Sequence, residues 1–404
     1  MSLTSAVVAV GDELLLGDTV NTNAAWLGGQ LAAVGIPVVS SVAVGDDLPR
    51  MISAISLALA EADVVVVTGG LGPTTDDVTR EAVAVVAGVA LERVPDREQQ
   101  LRDRFAAYGY AMPAEVLKQA DVPRGAVPLE NPVGTAPGLR LQVGARLLYA
   151  LPGPPHELQA VFVPVLEELR ALSGQPVLTR SVHTSGLGES AVAEIVQRTV
   201  VVPDGVALAY LAGRGIVRVR FTGTDDATLS ALADQVEAAL GDDVWGRDGA
   251  LLDEVVHGLL AERGATVAVA ESLTGGLLGA ALSTMPGSSA TFRGSLVVYA
   301  TELKESLAGV PGPLLSSVGA VSPETAAALA AGARERLGAS YGVGVTGVAG
   351  PTEQEGQPVG TVHLAVAGPD GSAVRSLRLP GDRDRVRAWA VNAGMDLLRR
   401  ELSR

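Results

Sequence analysis

The chain of 404 residues contains no cysteine. That absence removes disulfides, thiolate zinc sites and cysteine nucleophiles together. Histidine is nearly as scarce, at four residues: His156, His183, His257 and His363. They are so far apart that a His-rich metal site or a Ser-His-Asp triad requires long-range convergence. Aromatic residues make up only 3%, so Val, Ala and Leu must fill the cores. Basic residues are in deficit, 30 Lys and Arg against 45 Asp and Glu, for a net charge of −15. This balance opposes non-specific nucleic-acid binding, which needs a cationic footprint, and leaves room only for a local patch. Long apolar runs are missing as well, and Met1-Ser-Leu-Thr-Ser5 has neither a basic region nor a long apolar stretch. The expectation is a soluble, cytoplasmic protein that makes no use of a membrane.

What is present fits a compact, loop-rich α/β protein: 48% hydrophobic residues with 48 Gly and 23 Pro. The length suggests two or three domains. Ala6-Val-Val-Ala-Val10 reads as a buried strand ending in the polar loop Gly11-Asp12-Glu13. Leu27, Leu31 and Val34 recur at helical spacing before Gly35, and Ile52, Ile55 and Leu59 mark a second helix. Between them Pro37 to Val44 reads as a strand, and Asp63-Val-Val-Val-Val-Thr68 is the cleanest strand of all. The alternation predicts a doubly wound, mostly parallel sheet with helices on both faces.

Gly69-Gly70-Leu-Gly72-Pro-Thr74-Thr-Asp76-Asp77 follows directly on that last strand. Ligands bind beyond the carboxyl ends of such strands. Successive amides there can cradle an anion, and Asp76 and Asp77 are hard oxygen ligands suited to Mg²⁺ or Mn²⁺. The ordinary alternative is a loop whose Asp pair favours the positive end of the next helix. Asn131-Pro-Val-Gly-Thr135-Ala-Pro-Gly138 and Leu151-Pro-Gly-Pro-Pro155 are further Pro/Gly loops, and Lys118 reads either as a phosphate contact or as a solvated lysine.

From about Val177 to Val244 the pattern changes to a small α+β unit, read as a spacer or dimerisation module; its charge argues against RNA binding. Gly241 to Gly249 reads as a linker. A third unit follows. Its Glu271-Ser-Leu-Thr274-Gly275-Gly276 sits at a strand-to-helix junction, with Ser272 and Thr274 as caps and amides that favour phosphate or carboxylate. Thr346 stands at the end of the strand Tyr341 to Thr346, and Arg383 near the start of the last helix.

Chemistry concentrates in Pro286 to Lys304. Pro-Gly-Ser-Ser289 is a turn and a possible helix start, Leu296-Val-Val-Tyr299 a short strand, and Lys304 lies five residues beyond Tyr299. A hydroxyl nucleophile from either Ser288 or Ser289, with Tyr299 and Lys304 delivered by the next strand, makes a workable Ser/Lys site, because a desolvated lysine can act as base near neutral pH. The plain alternative is a turn, a core tyrosine and a solvated lysine.

These motifs, taken in order along essentially the whole chain, resemble the CinA family (competence/damage-inducible protein A). The resemblance divides the chain into a molybdopterin-binding-like domain over 1–172, a small KH-like α+β domain over 173–246 and a nicotinamide-nucleotide amidohydrolase domain over 250–404. It implies that the last domain deamidates nicotinamide mononucleotide to nicotinate mononucleotide, with Ser289 as nucleophile, Lys304 as base and Tyr299 completing the relay, and without a cofactor. Thr346 and Arg383, with Thr274, Gly275 and Gly276, would bind the nucleotide. The first domain would be a metal-dependent ADP-ribose pyrophosphatase using Mg²⁺, Mn²⁺ or Co²⁺, with K⁺ as a further cation. Asp76 and Asp77, then Asp12 and Glu13, would hold metal, and Gly69, Gly70, Gly72, Thr74, Lys118, Asn131 and Thr135 would hold substrate. A homodimer is implied, and RecA as a partner through the family name alone. The same resemblance leaves two other functions open: a molybdopterin-binding protein, and a competence or repair accessory acting through protein contacts. Three departures stand out: Leu273 where the family usually has Cys, His156 where Arg is common, and a 350–358 loop without the usual Gly pair and Lys.

Overall fold

The computed structural model describes residues 3–107, 109–173 and 176–404, so Met1 and Ser2 of the N-terminal reading lie outside it. The chain forms two compact units, Met1–Leu178 and Thr179–Arg404. No helix among the described residues is long and apolar enough to cross a membrane.

In the first unit, six strands lie in the spatial order Val38–Val44, Ser5–Val10, Val64–Thr68, Arg146–Leu151, Gly138–Val143 and Val127–Leu129. The first four run parallel, Gly138–Val143 turns back antiparallel to them, and Val127–Leu129 is antiparallel to Gly138–Val143 in turn. Alternation of side chains feeds two cores at once. Val8, Val65 and Val67 face Met51, Ile55 and Val83, whereas Val7, Val64 and Val66 face Leu27, Leu31 and Phe162. Each buried Val or Leu contributes about 1.5–3 kcal/mol, so the valine runs that read as strands also hold the helices on both faces. Helix starts follow the capping signals: the Asn21 side chain accepts from the Ala24 amide, and Asp47 from the Arg50 amide. The expected doubly wound α/β sheet is what forms.

The second unit carries two sheets. The smaller has the order Ala207–Gly213, Ile216–Gly223, Leu178–Ser185, Val244–Arg247. The stretch expected to be a linker is thus corrected: Val244–Arg247 pairs antiparallel with Leu178–Ser185. The cause is Trp245, which is buried and packs edge-on against His183 with ring centroids 4.9 Å apart.

The larger sheet runs Phe292–Val297, Val267–Glu271, Tyr341–Gly347, Thr361–Gly368, Gly371–Arg378. Its first three strands are parallel and its last two antiparallel. Helix Pro323–Arg336 lies almost directly on Tyr341–Gly347, and glycine is what permits it. A Cβ on Gly344 would fall 2.2 Å from the Ala326 carbonyl oxygen. The strand expected at Leu296–Tyr299 begins earlier, at Phe292, and ends at Val297. Tyr299 therefore lies in the loop after the strand, and Lys304 on the short helix Thr301–Ser306.

Candidate active sites

In the first unit the neighbours of Ser5–Val10 are Val38–Val44 on one side and Val64–Thr68 on the other. Connections leave in opposite directions, which opens a crevice beyond the carboxyl ends of the strands. A cavity of about 410 Å³ lies there, lined by Glu13, Gly69, Gly70, Gly72, Asp76, Asp77 and Thr135 among others. Gly69 and Gly70 have φ of +94° and +65°, and a Cβ on Gly69 would meet the Val10 carbonyl oxygen at 2.3 Å. The loop hence approaches the neighbouring strand as only glycine allows.

Two residues that matter here had not been singled out. Arg80 is buried under the glycine loop and donates to the Leu71 and Gly72 carbonyls at 2.7 Å each. Burial lowers its pKa, opposed by the charges of Glu81, Asp77 and Asp121. Asp46 lines the same cavity and exchanges hydrogen bonds with Asp12: the Asp12 amide donates at 3.0 Å and the Asp46 amide donates back at 3.1 Å. Burial pushes the Asp46 carboxyl up; the Asp12 amide opposes this, and the charges of Asp12, Glu13 and Asp76 add to it. A periodic helix hides an Arg80, and Asp46 joins the crevice only because the strand before it, Val38–Val44, pairs with Ser5–Val10.

Other expected contacts serve the architecture of the loops. Lys118 Nζ donates to the Asp77 carbonyl at 2.5 Å and pairs with Glu81 at 3.2 Å, so its charge ties down the loop and is not free for a phosphate. Asn131 is buried, donating to the Ala136 carbonyl at 2.8 Å and accepting from the Val133 and Gly134 amides. The Thr74 amide and hydroxyl both donate to Asp77 Oδ2, at 2.9 and 2.5 Å. His156 is exposed. Among the described residues no group of three or more His, Asp or Glu side chains could hold a metal ion. Asp77 is committed to Thr74, and Asp12, Glu13, Asp46 and Asp76 form an acidic neighbourhood without converging on one point. The expected metal ligands therefore do not by themselves fit a divalent cation.

In the second unit the strand Val267–Glu271 lies between Phe292–Val297 and Tyr341–Gly347, all parallel, and it too marks a switch point. The cavity there measures about 460 Å³. Its lining includes Ser272, Tyr299, Lys304, Thr346, Arg383 and Glu353. Lys304 is 2% exposed, and its Nζ donates to the Val298 carbonyl at 3.0 Å and the Tyr299 carbonyl at 3.3 Å. Burial lowers the pKa of Lys304, and the charges of Glu355 and Glu302 partly restore it. Arg383 Nη2 donates to the Tyr299 hydroxyl oxygen at 2.7 Å while Nη1 donates to the Gly350 carbonyl at 2.8 Å. Thr346 is buried, its hydroxyl donating to the Ala320 carbonyl at 2.6 Å.

Ser289 does not join them. It is exposed on the short turn Ser288–Ala290, ahead of the amino end of Phe292–Val297. Tyr299 and Lys304 come after the carboxyl end of that strand, which at about 3.3 Å per residue separates the two ends by roughly 20 Å. The serine that reaches the cavity is Ser272, the first residue past Val267–Glu271. Its signal in the sequence is a hydroxyl directly after a strand of the predicted parallel sheet, a pattern that equally suits the helix cap expected there. Thr274, Gly275 and Gly276 shape the turn behind Ser272. Gly275 and Gly276 have φ of +59° and +98°.

That turn is held by Glu271, whose carboxylate is fully buried. It accepts from the amides of Gly276, Leu278 and Gly279 at 3.0, 3.0 and 2.8 Å, and from the Ser295 hydroxyl at 2.8 Å. On the opposite wall Glu355 accepts from the Ala320 amide at 2.8 Å, so the altered 350–358 loop still supplies a structural anchor. Leu273 is buried in the apolar core, where a smaller thiol would also sit.

Three family models match the chain: "Probable molybdopterin binding domain" over residues 6–171, "Damage-inducible protein CinA KH domain" over 179–246 and "CinA C-terminal domain" over 250–402. A CinA-like protein of Frankia casuarinae is 51% identical over 417 residues, covering 98% of this chain and 96% of the relative. A CinA-like protein of Solibacter usitatus is 39% identical over 408 residues, with 98% of each chain covered. The solved structure of the protein CinA from Thermoplasma acidophilum, titled as of unknown function, is 40% identical, covers 42% of this chain and 98% of its own, and superposes with a TM-score of 0.40.

Proposed function

This chain belongs to the CinA family, and from that premise we propose that its 250–404 portion hydrolyses the carboxamide of nicotinamide mononucleotide, with Ser272 as the nucleophile. The observation that carries the reading is the single cavity shared by Ser272, Tyr299, Lys304, Thr346 and Arg383. Ser272 Oγ attacks the carboxamide carbon as the unprotonated form of the buried Lys304 amine, whose pKa is lowered by burial, takes its proton. The proton passes to the departing nitrogen, the C–N bond breaks, and ammonia leaves. Water, deprotonated by the same amine, then cleaves the ester, releasing the carboxylate and restoring the serine. Charge on the tetrahedral oxygen is met by the amides of Leu273 and Thr274, which make no other hydrogen bond among the described residues. The phosphate lies near Arg383, at the amino end of the helix Arg383–Leu402.

The test follows ammonia from nicotinamide mononucleotide with the wild-type chain, Ser272→Ala, Ser289→Ala and Lys304→Ala. Ammonia from wild type and Ser289→Ala only is expected; none from wild type would sink the reading. If Ser272→Ala abolishes ammonia yet leaves a competence or repair phenotype intact, the accessory role through a partner such as RecA stands beside the deamidase activity.

For the 6–171 portion the supporting feature is the glycine loop, whose backbone suits a diphosphate, so ADP-ribose hydrolysis is the reading to assay, with and without Mn²⁺. The match to a molybdopterin-binding model over the same residues favours a pterin ligand as the second reading. Tight pterin binding without ADP-ribose hydrolysis would select it. Because the carboxylates do not assemble a metal centre, no catalytic step is assigned to a cation here.

A further inference from the structure

A second cavity of about 310 Å³ in the 179–404 unit belongs to neither site. It lies between the loop Ser185–Glu189 and the Gly213–Gly215 turn on one side, and the strand Gly371–Arg378 and the helix Arg383–Leu402 on the other. Ile216, Leu377, Leu379, Ala393 and the Trp389 ring supply an apolar wall. Two polar atoms in that wall, Ser185 Oγ and Trp389 Nε1, are buried without a hydrogen-bond partner. Both can donate, and one can only donate.

Four charged side chains line the cavity: Arg375, Arg385, Asp396 and Glu189. Asp396, fully buried, binds Arg399 at 2.9 Å, Arg400 at 2.9 Å and Arg375 at 3.6 Å, and Arg400 also reaches Asp243 at 2.7 Å. The Asp396 carboxylate is thus fully occupied by arginine. Arg385 lies at the mouth, 5.0 Å from the centre of the Trp389 ring, and makes no ion pair among the described residues. Exposed Glu189 is the other carboxylate of the lining.

We propose that this cavity binds a small planar aromatic carboxylate. A flat ring suits the aliphatic wall and the Trp389 face, unused donors call for an acceptor, and the unpaired Arg385 guanidinium calls for an anion. The volume admits one or two fused rings. This inference does not depend on which reaction the neighbouring site performs.

The experiment titrates benzoate and nicotinate, with benzamide and nicotinamide as neutral twins, into the full chain, reading calorimetry and tryptophan fluorescence in the presence of saturating nicotinate mononucleotide, which occupies the neighbouring site without being turned over. Each acid is expected to bind at least about tenfold more tightly than its amide. Arg385→Gln, on the exposed rim, should erase that preference. Ala393→Leu should fill the cavity and abolish binding of all four, with thermal melting used to verify that both variants fold. Should Ala393→Leu not fold, Arg385→Gln decides alone. No saturable binding of either acid, equal affinity for acid and amide, or binding unchanged by both variants overturns the proposal.

Discussion

Arg383 and Tyr299, 84 residues apart in the chain, meet through a hydrogen bond of 2.7 Å from the guanidinium to the phenol oxygen. The bond joins the start of the last helix to the loop after the edge strand, and so closes one wall of the cavity over Lys304. Arg383→Gln loses this contact and the one to Gly350, each a charge-assisted bond of about 1.5–3 kcal/mol at most. The expected outcome is a fall in kcat/KM for nicotinamide mononucleotide of about tenfold or more, chiefly in KM. Steady-state ammonia release checks it; unchanged KM would remove Arg383 from substrate binding.

The two serines give the sharpest discrimination. Ser272→Ala should lower kcat by at least about a thousandfold, as nucleophile deletions do, whereas Ser289→Ala should stay within about twofold. Equal losses would mean that the turn at Ser289 moves in solution far from where it lies here.

Lys304 sets the pH dependence. Burial lowers its pKa from the ordinary lysine value, and the charge of Glu355 is the first influence that restores it. Activity should rise with pH as the amine loses its proton, along a limb below the usual lysine range. Glu355→Gln removes a negative charge that favours the protonated form, so the limb should move to lower pH. The linkage to stability has a definite sign: between the lowered folded value and 10.5 the unfolded chain binds more protons, so stability rises with pH across that window. A pH–rate profile and urea unfolding at several pH values test the two parts.

Beneath the other site, Arg80→Met should leave the Leu71 and Gly72 carbonyls without their buried donor. At about 1–3 kcal/mol for each unsatisfied group, the loss should reach a few kcal/mol, visible as a lower urea midpoint. Ligand affinity at the glycine loop should fall with it, and Arg80→Lys should recover only part of either effect.

Packing in the second unit can be tested at one atom. Gly344→Ala places a methyl 2.2 Å from the Ala326 carbonyl oxygen, where no flexible side chain can yield. Helix Pro323–Arg336 must shift, at a cost of about 1–3 kcal/mol or more, measured by thermal melting.

Periodicity and punctuation carried much of this protein by themselves. Valine runs as regular as Val64–Thr68 have one low-energy use in a chain this poor in aromatics, a strand buried on both faces, and their alternation with helical patterns dictated the doubly wound sheet. The absence of cysteine and the scatter of histidine directed attention to hydroxyl and lysine chemistry, and Tyr299, Lys304, Thr346 and Arg383 were legible from their places at element ends. Which serine meets them was not. Ser289 lies closer in sequence to Lys304 than Ser272 does, but a strand of the parallel sheet intervenes and carries the two to its opposite ends. Only the pairing of Val267–Glu271 between its two neighbours brings Ser272 to the shared crevice. The same holds for Arg80, Glu271 and Asp46, whose roles come from carbonyls, amides and charges supplied by segments distant in sequence. Local interactions determine the elements; the partners of a buried charge or a reactive hydroxyl are determined by how those elements pack.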